Sequence, residues 1–131
     1  MSELKLLGDI NSSSLDNILA IISSPKKIKK EWRIIIADKK PIASSLYMEN
    51  DQFNAKGGCD REAWELAEII AQELWQPEMC YSIDICKMNN DYYLLELNSY
   101  SSCGLYSCDC EAIVRGVSEA ALKEWEEYNR V

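Results

Sequence analysis

Two apolar runs, "MCYSIDICKM" (79–88) and "DYYLLELN" (91–98), are parted only by a pair of asparagines, a spacing that permits little except a β-hairpin. Side chains alternate along a strand, so Ser82, Asp84 and Cys86 share one face of the first run, and Tyr92, Leu94, Glu96 and Asn98 share one face of the second. A turn of odd length, pairing Met88 with Tyr92, sets Asp84 opposite Glu96 and Ser82 opposite Asn98. It also sets Ile83 opposite Leu97 and Ile85 opposite Leu95. A slip of one residue sets Asp84 against Leu95 and mixes polar with apolar across the sheet. The expected register therefore gathers Asp84, Glu96 and Asn98 into one cluster.

Such a cluster is costly by itself. Opposed carboxylates repel, and each loses solvation when covered, unless something cationic stands between them. A hard divalent cation suits the set: Mg²⁺ takes oxygen ligands and is commonly held by one or two carboxylates together with phosphates. Asn98 adds a carbonyl oxygen. The competing reading is an antiparallel sheet face open to water, on which these groups are merely solvated.

The remaining pattern is α+β. Residues 1–17 form a polar, serine-rich lead-in, and "ILAIISS" (18–24) fits a short strand or the end of a helix. "EWRIIIADKKPIASSLYM" (31–48) reads as two strands around a turn at Asp38 to Pro41. Trp32, Ile34 and Ile36 face one way in it, and Glu31, Arg33 and Ile35 the other. "ENDQFNAKGGCD" (49–60) reads as a polar loop. Asp60 opens an amphipathic helix that stops before Pro77. Asp109 caps a last helix with Ile113, Val117, Ala120, Ala121, Leu122, Trp125 and Tyr128 on its apolar side. The expected fold is a mainly antiparallel sheet of two hairpins with two amphipathic helices packed on one face, a single domain over residues 18–131.

Composition bounds the function. With 131 residues, 47% of them hydrophobic, the chain can bury one core and is too short for two ordinary domains. A net charge of -8 argues against nucleic acid and against an anionic membrane surface as partners. Histidine is absent, so any acid–base work falls to carboxylates, lysine, arginine, tyrosine or cysteine. No run of about 18 apolar residues is present to span a membrane. The opening "MSELKLLGD" carries no secretory leader, so a reducing, cytoplasmic setting is expected, with the six cysteines as structural thiols. "PKKIKK" (25–30) is an isolated basic cluster, read either as a solvated loop or as a clamp for phosphate.

Three segments, "SSPKKIKKEWRIIIADKKPIASSLYM", "ELWQPEMCYSIDIC" and "YYLLELNSYSSCGLYSCD", together resemble the C-terminal half of an ATP-grasp domain of a compact bacterial and phage clade. The resemblance implies ATP and Mg²⁺ as cofactors, with Asp84, Glu96 and Asn98 at the metal and phosphates. It implies Glu31 and Arg33 of an E-x-R strand at the nucleotide, Arg33 being the catalytic candidate that meets phosphate or acyl phosphate. Lys26 and Lys27 are the implied nucleotide-binding lysines. Such enzymes activate a carboxylate as an acyl phosphate, which an amine then attacks. They also carry a glycine-rich subdomain over the phosphates, for which "KGG" (56–58) is too short and too late. A partner chain or homodimer is therefore expected to complete a ligase. The alternative expectation is a small acidic phage or mobile-element protein that reuses the fold, without catalysis, to bind and inhibit a host protein.

Overall fold

The computed structural model describes residues 24–130, so the lead-in and nearly all of "ILAIISS" lie outside the described residues. The fold is α+β, built on a five-stranded sheet in the order β3-β2-β1-β4-β5, every neighbouring pair antiparallel. The strands are β1 (Lys30–Ala37), β2 (Lys40–Glu49), β3 (Gln52–Gly57), β4 (Cys80–Met88) and β5 (Asp91–Ser99). Helix α1 (Arg61–Ala71) joins β3 to β4, and α2 (Cys110–Tyr128) follows β5.

Three hairpins turn on two residues each. Asp38 and Lys39 have φ of 45° and 61°, and Asn50 and Asp51 have 51° and 62°, the left-handed pair that matches the twist of flanking strands. The first turn is thus shorter than the expected Asp38–Pro41, and Pro41 already lies in β2 opposite Ile36, beside a register shift. The second turn brings in β3, a strand where the sequence suggested only a loop. Its polar residues hide the alternation because this strand sits at the sheet edge, exposed on much of its length.

The helices take opposite faces, a correction to the expectation of one shared face. Ala63, Ala67 and Ala71 of α1 lie against Trp32, Ile34, Ile36, Ile83 and Ile85, all buried. Three alanines at helical spacing let the helix axis approach the large strand side chains closely. Ala67 is fully buried, so Ala67→Leu is expected to cost about 1–3 kcal/mol through overpacking, read as a lower urea midpoint with unchanged slope. On the other face Ile35 and Ala43 pack with Ile113 of α2 and with Cys108. The strand alternation dictates this division, since Ile35 points away from Ile34 and Ile36. Gly116 lets α2 press on β2: a Cβ there would stand 2.9 Å from Ile42 Cδ1.

Neither helix uses all of its apolar side. α1 ends at Ala71, leaving Leu74 and Trp75 exposed beyond it. On α2 Ile113 and Ala120 are buried, whereas Leu122, Trp125 and Tyr128 are exposed. Asp109 caps α2 as expected, accepting from the backbone N–H of Glu111 (2.9 Å) and Ala112 (3.2 Å). Asp60 stands at the start of α1 without capping it; its carboxylate accepts from the Tyr92 hydroxyl at 2.9 Å and pairs with Lys87 at 3.4 Å. Among the described residues no helix is long and apolar enough to cross a membrane.

Candidate functional site

The β4–β5 hairpin carries the site. Its turn, Asn89–Asn90, has two residues, so Met88 pairs with Asp91, not with Tyr92. Left uncorrected, an even turn sets Asp84 against Leu95. A register shift between Asp84 and Ile85 absorbs one extra residue of β5 around Leu95, and beyond it Asp84 faces Glu96, Ile83 faces Leu97 and Ser82 faces Asn98. The expected pairs at the site are therefore present, reached through a bulge, while Ile85 faces Leu94 in place of Leu95. Leu95 and Leu97, expected to look inward, are 41% and 38% exposed, because β5 is an edge strand.

Arg33 lies on β1 directly opposite Asp84. Its Nε donates to Asp84 Oδ1 at 2.8 Å and its Nη2 to Oδ2 at 2.7 Å, a two-pronged pair that is almost fully buried. Nη1 donates to the Gly104 carbonyl at 3.2 Å, and Nη2 also stands 3.7 Å from Glu96 Oε1. The Tyr47 hydroxyl lies 2.6 Å from Glu31 Oε2 and 3.2 Å from Asp84 Oδ2. Its ring stacks on Tyr106 at 4.8 Å and 12°, and the Arg33 guanidinium lies 5.1 Å from the Tyr106 ring. Asn98 Nδ2 donates to Glu96 Oε1 at 2.8 Å.

These contacts drive the two acids apart. Burial pushes the Asp84 carboxyl above its ordinary value, opposed by Arg33 and reinforced by Glu96. The hydrogen bond from Asn98, then contact with Asp84, holds Glu96 below its own. Burial and the bond to Glu31 raise the Tyr47 phenol, and pairing with Asp84 raises Arg33, so both stay protonated. Glu96 is thus the ionised, half-exposed acid, and Asp84 the one tied into the sheet.

The set has a limited fit to Mg²⁺. Both Asp84 oxygens accept from Arg33, and Oδ2 also from Tyr47, so Asp84 meets a cation only by giving up those partners. Glu96 and Asn98 offer adjacent oxygens at the surface, which suits a Mg²⁺ that keeps waters and phosphate oxygens as its other ligands. Among the described residues no group of three or more acidic or cysteine side chains could hold a metal unaided. Ser82 Oγ, opposite Asn98, is buried without a hydrogen-bond partner among the described residues.

Lys26 and Lys27 stand at the other end of β5, where with Pro25, Met88, Asn89 and Tyr93 they line a cleft of about 360 Å³. Lys26 Nζ donates to Ser24 at 2.6 Å (Oγ) and 2.9 Å (carbonyl). Tyr93 faces Cys86, which puts it on the same sheet face as Glu96, roughly 10 Å along the strand. Glu31 belongs to the Tyr47 bond and lies at the half-buried start of β1. Three side chains that the sequence reading passed over complete the surroundings. Tyr47 was legible, since Ser45 pairs with Arg33 and alternation carries Tyr47 to the same face. Tyr106 and Phe53 were not, being placed by a loop with φ of 49° at Tyr106 and by the unexpected β3.

The loop behind the site is thiol-rich. All six cysteines are free, and Cys108 is buried, its thiol pushed up by burial to about 11. At pH 8 its alkylation by iodoacetamide is expected to run about a hundredfold slower than that of an unhindered cysteine, with exposed Cys110 modified first; mass spectrometry of the digest reads the order.

An antiparallel sheet that presents an aspartate, an E-x-N pair and an opposed arginine on one face belongs to the ATP-grasp class. A family model described as an ATP-grasp domain, the second family of its clade, matches residues 2–115, most of the chain, and the protein belongs to that family. No curated protein and no solved structure matches it.

Proposed function

We propose that the sheet face of β1, β4 and β5 is a site for ATP with Mg²⁺, serving the activation of a carboxylate when a partner chain or second copy supplies the cover over the phosphates. The observation that carries this reading is the bulged register of β4 and β5, which sets ionised Glu96 and Asn98 beside the Arg33 fork on an open face. A plain two-residue hairpin would have dispersed them.

Each residue has a task in this reading. Lys26 and Lys27 attract the polyphosphate electrostatically, which matters in a chain of net charge -8. Glu96 and Asn98 supply oxygens to Mg²⁺, and the bound ion neutralises charge on the phosphates during transfer. Asp84 and Tyr47 hold the guanidinium of Arg33 in a fixed plane, so its Nη2 edge meets an oxyanion without reorganising. Glu31 fixes Tyr47 from the far side. Amide NMR spectra titrated with ATP and Mg²⁺ test the placement. Shifts are expected at Lys26–Lys27, Asn89–Asn98 and Gly104–Tyr106, whereas shifts confined to α2 would sink it.

A second reading has its own support. The Arg33–Asp84 pair is complete without a ligand, and β5 exposes Tyr93, Leu94, Leu95 and Leu97 along a sheet edge, a surface suited to pairing with another protein. In that reading the chain is a non-catalytic binding protein, of phage or mobile-element origin, and the NMR shifts with ATP do not occur.

A further inference from the structure

Beyond Arg33, on the side away from the lysines, the same face ends in exposed aromatic rings that the nucleotide reading does not use. Phe53 projects from edge strand β3 at 67% exposure, and Tyr106 is 43% exposed. Their centroids stand 5.9 Å apart with planes at 54°, an open notch. The back of the notch is rigid: Tyr106 stacks flat on Tyr47, whose hydroxyl is bound to Glu31 and Asp84. Tyr106 holds this pose with a φ of 49°, which is uncommon for a bulky residue. A large ring exposed on an edge strand gains little from the fold, and here it faces a second ring 5.1 Å from a guanidinium.

We infer that this notch is the acceptor subsite, and that it takes a carboxylic acid bearing a planar aromatic group. The inference rests on the nucleotide reading for the word acceptor, and on the rings alone for the ligand's shape. The strand order gives the layout. Lysines lie by β5, Glu96 and Asn98 on β5, Arg33 on β1, Tyr47 on β2 and Phe53 on β3, at successive spacings of about 4.8 Å per strand. A phosphate chain entering from the lysines ends near Arg33. The group it meets there is bounded by Tyr106 and Phe53. A flat ring lies between two tilted rings with offset or edge contacts, and its carboxylate then reaches the Nη2 edge of Arg33.

Calorimetry on the full chain tests this with 3-phenylpropionate and propionate as probes, and with adenosine as competitor. The parent is expected to bind 3-phenylpropionate at least tenfold more tightly than propionate, and Phe53→Ala to erase that preference. Because Phe53 is exposed, the variant is expected to fold, with its circular dichroism spectrum and its affinity for ATP with Mg²⁺ within twofold of the parent. Equal binding of the two acids, or a preference that survives in Phe53→Ala, overturns the proposal. Adenosine displacing 3-phenylpropionate in a Phe53-dependent way reassigns the notch to a nucleobase and overturns it too. Phe53-dependent binding of the aromatic acid by a chain that ignores ATP contradicts the nucleotide reading and supports the ring-binding notch.

Discussion

Alanine in place of Asp84 is expected to lower the free energy of unfolding by about 3–5 kcal/mol, the largest stability loss at any position of the site. The cause is what remains behind. Arg33 stays charged, is almost wholly buried, and loses both prongs of its 2.7 and 2.8 Å pair together with the brace that Tyr47 supplies through Asp84. Gly104's carbonyl alone cannot solvate a guanidinium. Replacing both partners at once, Arg33→Met with Asp84→Leu, is expected to recover most of the loss, since an apolar pair of similar volume costs no desolvation. Urea denaturation of the two variants measures both. A loss under 1 kcal/mol for Asp84→Ala would show that the pair is not closed in solution.

Alanine at Glu96 is expected to act on ligand and leave the fold alone. Its side chain is 53% exposed, so stability is expected to change by less than about 0.5 kcal/mol. The Mg²⁺-dependent part of ATP affinity is another matter. Glu96 is the one acid of the cluster that is both ionised and reachable, with Asp84 occupied by Arg33. Its removal is expected to weaken ATP binding in Mg²⁺ by about ten- to a hundredfold, about 1.4–2.8 kcal/mol. Arg33 also loses its neighbour at 3.7 Å, so binding of ATP without Mg²⁺ is expected to hold or strengthen slightly. Equal affinity of parent and variant in Mg²⁺ would remove Glu96 from the site.

The site was more legible in the sequence than the path to it. Alternation named Asp84, Glu96 and Asn98 as one cluster, because only that register keeps polar opposite polar. It missed the bulge, since a two-residue turn at Asn89–Asn90 and an extra residue near Leu95 give the same far-end pairing as an odd turn with none. Arg33 was placed on the correct face, but its bond to Asp84 was not foreseen, because pairing of β1 with β4 joins segments about fifty residues apart in the chain. The helices were recognised from their period, whereas the face each covers depends on how the chain crosses the sheet. β3 was lost to its polar edge composition, and with it the place of Phe53.

The central claim, that this face binds ATP through Mg²⁺, is tested most directly by calorimetric titration of the parent chain with ATP in Mg²⁺ and again in excess chelator. Saturable one-site binding in Mg²⁺, at least tenfold weaker in chelator, is the predicted result. No heat of binding in either condition, from a chain shown to be folded, would contradict it.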